Sequence, residues 1–480
     1  MPDMRLMLRR SSIVLLVVAS ACTTATSVTG ISGPTPPSAL TTRQTAFLDT
    51  LERRTFDWFW ERTDNNNGLT PDRWPTKSFS SVAAIGFALT AYPVGVERGY
   101  VTRSAAATRT LNTLRFMYNA PQGPQPTNVT GYKGFFYHFL DMQTGYRFER
   151  VELSTIDTSL LIAGVLFCQS YYTGPDTTES AIRAYADSLY LRIEWPWAIA
   201  RPPAVSMGWH PETGFIRADW NGYNEGMIVY VLAFGSPTHP IGPAAWTGWT
   251  NTYNWAAFYG QTHVNFAPLF GHQYSHIWID YRGIKDAFMR AKGIDYFENS
   301  RRATLSQRLY AIENPGKFRD YGPNIWGLTA VDGPHDTTVV IEGINRQFHT
   351  YSARGAAAGE IRDDGTIGPT AAGGSVAFAP EIAIPALIEM REKYADNLFT
   401  NYGFLDSFNP TFRLPIKPHH GTVVAGVGWF DSDYLGIDQG PIIAMIENYR
   451  TELIWKTMRT NKYIVAGLKK AGFTGGWLGN

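Results

Sequence analysis

The chain has 480 residues, of which 44% are hydrophobic and 14% are aromatic, so it can bury a core larger than that of most single domains. Its formal net charge is +1, which excludes the strongly basic surface that nucleic-acid-binding proteins need. We therefore expect small or neutral partners and no nucleic acid.

Residues 1–21 have the layout of a signal peptide of the lipoprotein type. Three arginines precede an apolar run at 13–19, which is too short to span a membrane. The small residues before Cys22 resemble the lipobox of bacterial lipoproteins, in which the cysteine carries the lipid. We predict lipidation of Cys22 and a protein exported to the periplasm or the cell surface, bound to a bacterial membrane by this anchor only.

Residues 22–42 are rich in Thr, Ser, Gly and Pro, a composition that cannot bury a core and that predicts a flexible tether. No second linker follows, so residues 43–480 are predicted to form one domain. Apart from Cys22, the chain contains only Cys168, which lies in an apolar run. The mature protein is therefore expected to have no internal disulfide and no cysteine metal site, and Cys168 is predicted to lie in the core.

Helical periodicity recurs along the chain, for example at Phe47, Leu51 and Phe59, and again in "PIIAMIENYRTELIWK", where one apolar face runs from Ile442 to Leu453. Loops rich in Gly, Pro, Trp, Asn and Asp separate these segments, and strict strand-like alternation is scarce. The sequence predicts an all-α fold, and its length suits an (α/α)6 toroid of six helical hairpins with long loops over a central cavity.

Four acidic residues stand where a polar loop turns into an apolar helix: Asp157, Glu225, Glu381 and Asp438. Acidic side chains favour first helical turns because they complement the helix dipole, and Ser154 with Asp157 has the spacing of a capping box. Capping is thus one interpretation of each residue. Paired carboxyl groups for acid/base chemistry are the other.

Glu225 has neighbours that favour the second interpretation. The preceding loop is rich in aromatic and amide side chains, which stack on sugar faces and bind hydroxyl groups; it includes Trp209, Trp220, Tyr223 and Asn224. A helix N-terminus lowers the pKa of a carboxyl group, whereas a general acid must hold its proton. If Glu225 is an acid, burial or a nearby carboxylate such as Asp157 must therefore raise its pKa.

Several stretches together resemble the bacterial glycoamylase-like proteins, whose characterised members include hydrolases of β-1,2-glucan. They include "GFFYHFLDMQTGYRFERVELSTIDTSLLIAGVL", "GYNEGMIVYVLAFGSPTHP", "FGHQYSHIWIDYRGIKDAF", "GGSVAFAPEIAIPAL", "YGFLDSFNP" and "WFDSDYLGIDQGPIIAMIENYRTELIWK". The resemblance implies an (α/α)6 toroid with the active site at one mouth of its cavity. It also implies hydrolysis of a neutral β-glucan, foremost β-1,2-glucan, by acid/base catalysis with inversion and without metal or cofactor.

By this resemblance, Glu225 in "YNEG" is the expected general acid and Asp157 in "STIDTS" is a second acidic site residue. Asp406 in "YGFLDSF" and Asp438 in "GIDQGP" both fit the base. Contacts with a glucan or gluco-oligosaccharide are predicted for Glu152, Trp209, Trp220, Asn224, His272, Gln273 and Glu381. We expect the protein to be a monomer.

Other kinds of site fit the sequence less well. "HQYSH" places His272 and His276 four residues apart, as in zinc proteases, but Gln273 stands where their motif has Glu. No phosphate-binding glycine loop and no Gly-x-Ser-x-Gly motif occurs, which argues against kinases and serine hydrolases. Two alternatives stay open: a polysaccharide lyase on the same fold, and a lipid-anchored glycan-binding protein without catalysis.

Overall fold

The computed structural model describes residues 39–479, which are predominantly α-helical, as the sequence predicts. The α-helices within this range are α1 (Thr42–Arg62), α2 (Val82–Glu97), α3 (Arg103–Asn119), α4 (Thr155–Tyr171), α5 (Thr177–Leu191), α6 (Met227–Gly235), α7 (Ala244–Thr250), α8 (Tyr274–Trp278), α9 (Ala287–Lys292), α10 (Tyr296–Glu313), α11 (Pro369–Gly373), α12 (Pro380–Tyr394), α13 (Gly436–Arg450), α14 (Leu453–Met458) and α15 (Lys462–Lys470). Short 3₁₀ segments occur at Trp195–Ala198, Leu269–His272, Ala395–Asn397 and Gly476–Leu478.

The strands are short, and most have two or three residues. They are β1 (Arg73–Trp74), β2 (Ser80–Ser81), β3 (Gly131–Tyr132), β4 (Phe135–Tyr137), β5 (Phe139–Leu140), β6 (Leu153–Ser154), β7 (Gly208–His210), β8 (Gly214–Phe215), β9 (Trp255–Phe258), β10 (Gln261–Val264), β11 (Ala330–Val331), β12 (Thr337–Ile341), β13 (Ile344–Phe348), β14 (Ser352–Ala353), β15 (Gly355–Ala357), β16 (Glu360–Arg362), β17 (Phe399–Thr400), β18 (Gly403–Phe404), β19 (Phe408–Asn409), β20 (Thr422–Val424), β21 (Gly428–Phe430) and β22 (Tyr434–Leu435). Segments this short carry no readable alternation, so the sequence does not reveal them.

The largest sheet has the strand order β3-β4-β6-β7-β8, and a second sheet has the order β19-β21-β20. The remaining strands form antiparallel pairs, of which β12 with β13 is the longest. These strand pairs lie in the segments between helices and do not form a separate sheet layer.

Four of the longer helices are buried on nearly all sides: α2, α4, α6 and α13. Every residue of α6 is buried, and its sequence "MIVYVLAFG" is apolar all round, as expected for a helix enclosed by others. Helix α2 packs against α4 and α13, and α4 packs against α6. These four helices form the centre of the core.

A second set of helices buries one face only. Helix α1 packs on α13 and α2, α3 packs on α5 and α2, and α15 packs on α6. The predicted face of α1 is buried at Phe47, Leu51 and Phe59. A capping box starts this helix, because the Thr41 hydroxyl accepts from Gln44 N–H and the Gln44 side chain accepts from Thr41 N–H.

The predicted apolar face from Ile442 to Leu453 is split between two helices. Helix α13 ends at Arg450, and Leu453 is the first residue of α14. Glu452 between them adopts a left-handed conformation with φ +61°, which breaks the helix.

Helices α2 and α4 approach each other closely at two glycines. A Cβ atom on Gly86 would lie 2.3 Å from the Leu160 carbonyl oxygen, and one on Gly164 would lie 2.2 Å from the Gly86 carbonyl oxygen. Only glycine at both positions permits this separation of the two backbones.

Cys168 is fully buried, as predicted, and its thiol contacts the Leu89 carbonyl oxygen at 3.2 Å. Helix α1 begins at Thr42, one residue before the predicted start of the domain. The predicted signal peptide and Cys22 lie outside the described residues. Among residues 39–479, no helix combines the length and apolar character that a membrane span requires.

Candidate active site

Short strands bring the first turns of the central helices together. Strand β2 leads into α2, β6 into α4 and β22 into α13. Strand β2 pairs with β5, β6 pairs with β4, and β22 pairs with β1. The loop that precedes α6 lies next to the start of α4, because the indole Nε1 of Trp220 in this loop donates to the hydroxyl of Thr155, the first residue of α4, at 2.9 Å. Carboxyl groups at these helix starts therefore converge.

Glu225 lies immediately before α6, yet its side chain does not cap this helix. The N-cap residue is Gly226, without a side-chain cap, and Oε2 of Glu225 is buried and has no hydrogen-bond partner. The Glu225 carbonyl oxygen accepts from the Ser275 hydroxyl at 2.9 Å, which fixes the backbone. Burial raises the pKa of Glu225 to about 7, and the charge of Asp157 adds to this rise. The carboxyl group is thus part-protonated at neutral pH, as a general acid requires.

Asp157 is buried in the first turn of α4. Its N–H donates to the Ser154 hydroxyl at 3.2 Å, and that hydroxyl in turn donates to Oδ2 of Asp157. The capping interpretation is therefore correct for Ser154. The other carboxylate oxygen of Asp157, Oδ1, lies 3.5 Å from Nε2 of His138, so the residue also belongs to a charge network.

His138 joins Asp157 to Glu152. Its Nδ1 lies 2.9 Å from Oε1 of Glu152, and its ring stacks on Phe139. Although burial disfavours the charged ring, Asp157 and Glu152 raise the pKa of His138 to about 9. His138 is thus a cation between two carboxylates at neutral pH. The sequence analysis does not single it out, because it reaches the site only through the pairing of β4 with β6.

Asp406 and Asp438 form a second group of buried carboxyls. Burial and the neighbouring Asp438 raise the pKa of Asp406 well above its usual range. Burial likewise raises the pKa of Asp438, to about 8, and the charge of Asp332 adds to this rise. One oxygen of each, Oδ1 of Asp406 and Oδ2 of Asp438, is buried without a partner. Two neighbouring buried carboxyl groups do not ionise together readily, so the pair titrates as a unit and keeps a proton to higher pH than a free aspartate does.

Asp332 and Asp431 extend this group, and the sequence analysis misses both. Asp332 N–H donates to Oδ2 of Asp406 at 2.8 Å, and Nη1 of Arg73 binds Oδ2 of Asp332 at 2.6 Å. Asp332, Asp406 and Asp431 each offer an oxygen within 4.8 Å of the others, a spacing that a cation could use. Arg73 already supplies a positive charge to Asp332.

Tyr274 links the two groups of carboxyls. Burial raises the pKa of its phenol well above the usual value, and the charge of Asp438 adds to this rise. Glu225 and Asp157 act in the same direction. Helix α8, which begins with Tyr274, packs against α4 and α13, and the hydroxyl of Ser275 bonds the Glu225 backbone, so Asp157, Glu225 and Asp438 surround a common region.

Two of the predicted substrate-binding residues shape the turn before α6. Trp220 is 4% exposed, and its ring packs beneath Gly226. Asn224 is 5% exposed, accepts from Gly226 N–H at 3.0 Å and donates to the Asn221 carbonyl oxygen at 3.0 Å. Both side chains therefore hold Glu225 in position.

The other predicted contact residues lie in different surroundings. His272 and Gln273 are buried: His272 binds the Phe266 carbonyl oxygen, and Gln273 donates to Ala371 and Ser375. Trp209 is half-buried against Tyr132 and Trp197, and Glu152 is half-buried on His138. Glu381 is 49% exposed and pairs with Arg301 at 2.7 Å; none of the described contacts joins it to Glu225 or Asp406.

His276 and His272 both contact Tyr223, but their shortest hydrogen bonds go to different residues. Nε2 of His276 lies 3.1 Å from the Ser300 hydroxyl, whereas Nε2 of His272 lies 3.2 Å from the Phe266 carbonyl oxygen. Burial lowers the pKa of both rings, so both are neutral. Both rings are therefore buried side chains that are hydrogen-bonded within the protein.

A family model and a curated relative match this chain. The Glycoamylase model, described as "Putative glucoamylase", matches residues 217–462. An exo β-1,2-glucooligosaccharide sophorohydrolase (non-reducing end) from Parabacteroides distasonis is 27% identical over 460 residues, which cover 88% of this chain. The match covers 57% of the length of that protein, so the chain spans little more than half of this relative.

Solved structures are similar over nearly the whole chain. A "putative glucoamylase" from Bacteroides uniformis is 31% identical with a TM-score of 0.76, and the match covers 92% of this chain and 99% of that one. An endo-β-1,2-glucanase from Chitinophaga pinensis, solved with sophorotriose and glucose, is 28% identical with a TM-score of 0.75. That match covers 91% of this chain and 99% of the other.

Proposed function

Since the chain belongs to the Glycoamylase family, as the sequence predicts, we propose that it is a glycoside hydrolase that cleaves β-1,2-glucan or its oligosaccharides. The named activities of its relatives support this substrate, because both the Parabacteroides and the Chitinophaga proteins act on β-1,2-linked glucose. Cleavage proceeds by acid/base catalysis carried by side chains of this chain.

The protonation state of Glu225 carries the proposal. A glycosidic oxygen leaves as a hydroxyl group only if an acid protonates it, and that acid must keep its proton near neutral pH. The Glu225 carboxyl meets this need, since burial raises its pKa to about 7 and Oε2 has no protein partner. A helix cap would be ionised and hydrogen-bonded to backbone N–H groups.

The Asp406–Asp438 pair is the proposed base. The two carboxyl groups titrate together with raised pKa values, and the member that is ionised accepts a proton from the attacking water. That water bonds to the anomeric carbon while the bond to the leaving oxygen breaks, and Glu225 donates its proton to this oxygen. Direct attack by water inverts the anomeric configuration.

The helix arrangement supports an (α/α)6 toroid as the scaffold. The buried helices α2, α4, α6 and α13 are flanked by helices with one buried face, namely α1, α3, α5 and α15. Alternating inner and outer helices are what a ring of helical hairpins requires. In such a ring, the inner helices start at one mouth of the cavity, where Asp157, Glu225 and Asp438 stand.

The test uses the full-length protein with β-1,2-glucan beside starch and β-1,3- and β-1,4-glucans. We expect new reducing ends from β-1,2-glucan, and NMR of the first products should show the inverted α-anomer. A ladder of oligosaccharides indicates endo attack, and a single short product indicates exo attack. Binding of a glucan without cleavage by the wild-type protein would contradict the proposal and favour a glycan-binding protein. An unsaturated product would indicate a lyase.

A further inference from the structure

Tyr351 is an exposed aromatic residue close in the fold to the proposed base, Asp406 and Asp438. Its exposed fraction is 53%. Single exposed apolar side chains are common on protein surfaces, but an open aromatic face beside acidic side chains has the chemistry of a sugar-binding platform.

Strand pairing places Tyr351 near Asp406. The residue after it, Ser352, pairs with Val331 in the two-stranded sheet of β11 and β14. The next residue after Val331 is Asp332, whose N–H donates to Oδ2 of Asp406 at 2.8 Å. Tyr351 therefore directly precedes strand β14, whose partner strand β11 ends immediately before Asp332, and Asp332 is hydrogen-bonded to Asp406.

The pKa of Tyr351 agrees with this position. Although 53% of the residue is exposed, burial of the remainder and then the carboxyl groups of Asp438 and Asp406 raise its pKa well above the usual value. The ring also acts on Tyr274, which lies between the groups of Glu225 and Asp438. Tyr351 thus combines an exposed ring with a position beside Asp332 and Asp406.

The loop that carries Tyr351 is held firmly. Arg354 is fully buried, and its guanidinium forms two hydrogen bonds to Asp364, at 2.6 and 2.8 Å. The same guanidinium donates to the carbonyl oxygens of His349 and Thr350, at 3.0 and 3.1 Å. Since these bonds fix the backbone just before Tyr351, the ring can meet a ligand with little loss of conformational entropy.

We infer that Tyr351 stacks on one glucosyl unit of the substrate at the entrance to the Asp406–Asp438 group. An aromatic face suits the C–H surface of a neutral hexose, and the nearby carboxyls can accept hydrogen bonds from its hydroxyl groups. This inference rests on the proposed function, because it assumes a glucan in the cleft.

The first arm of the test is kinetic. Tyr351→Ala removes the ring, so we expect KM for β-1,2-gluco-oligosaccharides to rise about ten-fold with kcat changed less than about two-fold. Tyr351→Phe keeps the ring face and should retain the wild-type KM. Tyr118→Ala serves as the control, since this tyrosine is also exposed, at 39%, but lies on α3.

The second arm measures binding of the same oligosaccharides by calorimetry to Glu225→Gln protein, with and without Tyr351→Ala. A higher Kd in the double variant than in Glu225→Gln protein, by a factor that matches the rise in KM, supports stacking. Equal Kd values, or an equal loss with Tyr118→Ala, would overturn the inference and leave the hydrolase standing, provided that the wild-type protein cleaves the glucan. If the wild-type protein neither binds nor cleaves any glucan, the proposed function fails and the inference fails with it.

Discussion

Nε2 of His138 lies 3.5 Å from Oδ1 of Asp157, while its Nδ1 lies 2.9 Å from Oε1 of Glu152. The ring is cationic at neutral pH because these carboxylates raise its pKa to about 9. Burial raises the pKa of Asp157 above its usual value, and the charge of His138 limits this rise. The protonation state of Asp157 in α4 therefore depends on His138, which lies between β4 and β5.

Replacement of His138 by Gln should shift the pH profile. Without the cation, the pKa of Asp157 rises, so Asp157 becomes protonated at a higher pH than in the wild type. We expect the ascending limb of kcat/KM against pH to move to higher pH, with activity reduced most in mild acid. His239→Gln is the control, because His239 follows the opposite end of α6. An unchanged profile would show that the charge of His138 does not affect the reaction.

Replacement of Glu225 by Gln should reduce kcat at least a hundred-fold, within the usual range for a general acid. The amide keeps the shape of the side chain, so binding of oligosaccharide should persist. In the wild type, the descending limb of the pH profile should have a pKa of about 7, because Glu225 loses its proton there. Glu298→Gln is the matched control, since Glu298 lies in the first turn of α10 and pairs with Arg302. Equal losses in both variants would refute the assignment.

The sequence reveals those site residues that stand at helix starts. Glu225, Asp157 and Asp438 are visible because a single charge precedes or opens an apolar run, and the helical fold follows from the same runs. Arg73 and Asp332, by contrast, are 259 residues apart and meet only in three dimensions. His138 is hidden for the same reason, since a three-residue strand brings it to Asp157.

The roles of buried polar residues were also beyond the sequence. Trp220 and Asn224 have the chemistry of sugar contacts, but in the structure their polar atoms bind Thr155, Gly226 and Asn221. Residue type alone does not distinguish a side chain that supports the site from one that contacts the substrate. The hydrogen-bond partners of its polar atoms make that distinction.

The buried acid pair should make the protein less stable as pH rises. Asp438 has a pKa near 3.9 in an unfolded chain but about 8 in the fold, so the folded protein binds an extra proton between these values. Its contribution is complete below about pH 4 and is lost as pH rises through about 8. The melting temperature should therefore fall from about pH 5 to about pH 9, and it should fall less in Asp438→Asn.

The measurement is calorimetry of wild type, Asp438→Asn and the exposed control Asp396→Asn at both pH values. Asp438→Asn should also lose activity, because it removes one member of the proposed base. If all three proteins lose the same stability between the two pH values, Asp438 does not hold its proton in the fold.

Arg73 should be needed for the stability of the acidic group. It binds Asp332 at 2.6 Å, and Asp332 is 3% exposed, so Arg73→Met leaves a buried carboxylate without its cation. We expect a loss of about 3 kcal/mol in the free energy of unfolding. Asp332→Asn in the same chain should restore part of this loss, which a denaturant double-mutant cycle measures. Losses that simply add would show that the two side chains are not coupled.

Gly86 should tolerate no side chain, because α2 and α4 meet there. The Cβ atom of Gly86→Ala would lie 2.3 Å from the Leu160 carbonyl oxygen, and neither backbone can yield without moving a buried helix. We expect a loss of about 3 kcal/mol in unfolding free energy, the upper end for an overpacked core. Gly242→Ala is the matched control, since its Cβ would meet nothing within 4 Å, and it should change stability by less than about 0.5 kcal/mol. Because α2 and α4 both start at the candidate site, Gly86→Ala protein that still folds should also lose activity. Wild-type activity and stability in Gly86→Ala would mean that the two helices can separate without disturbing Asp157.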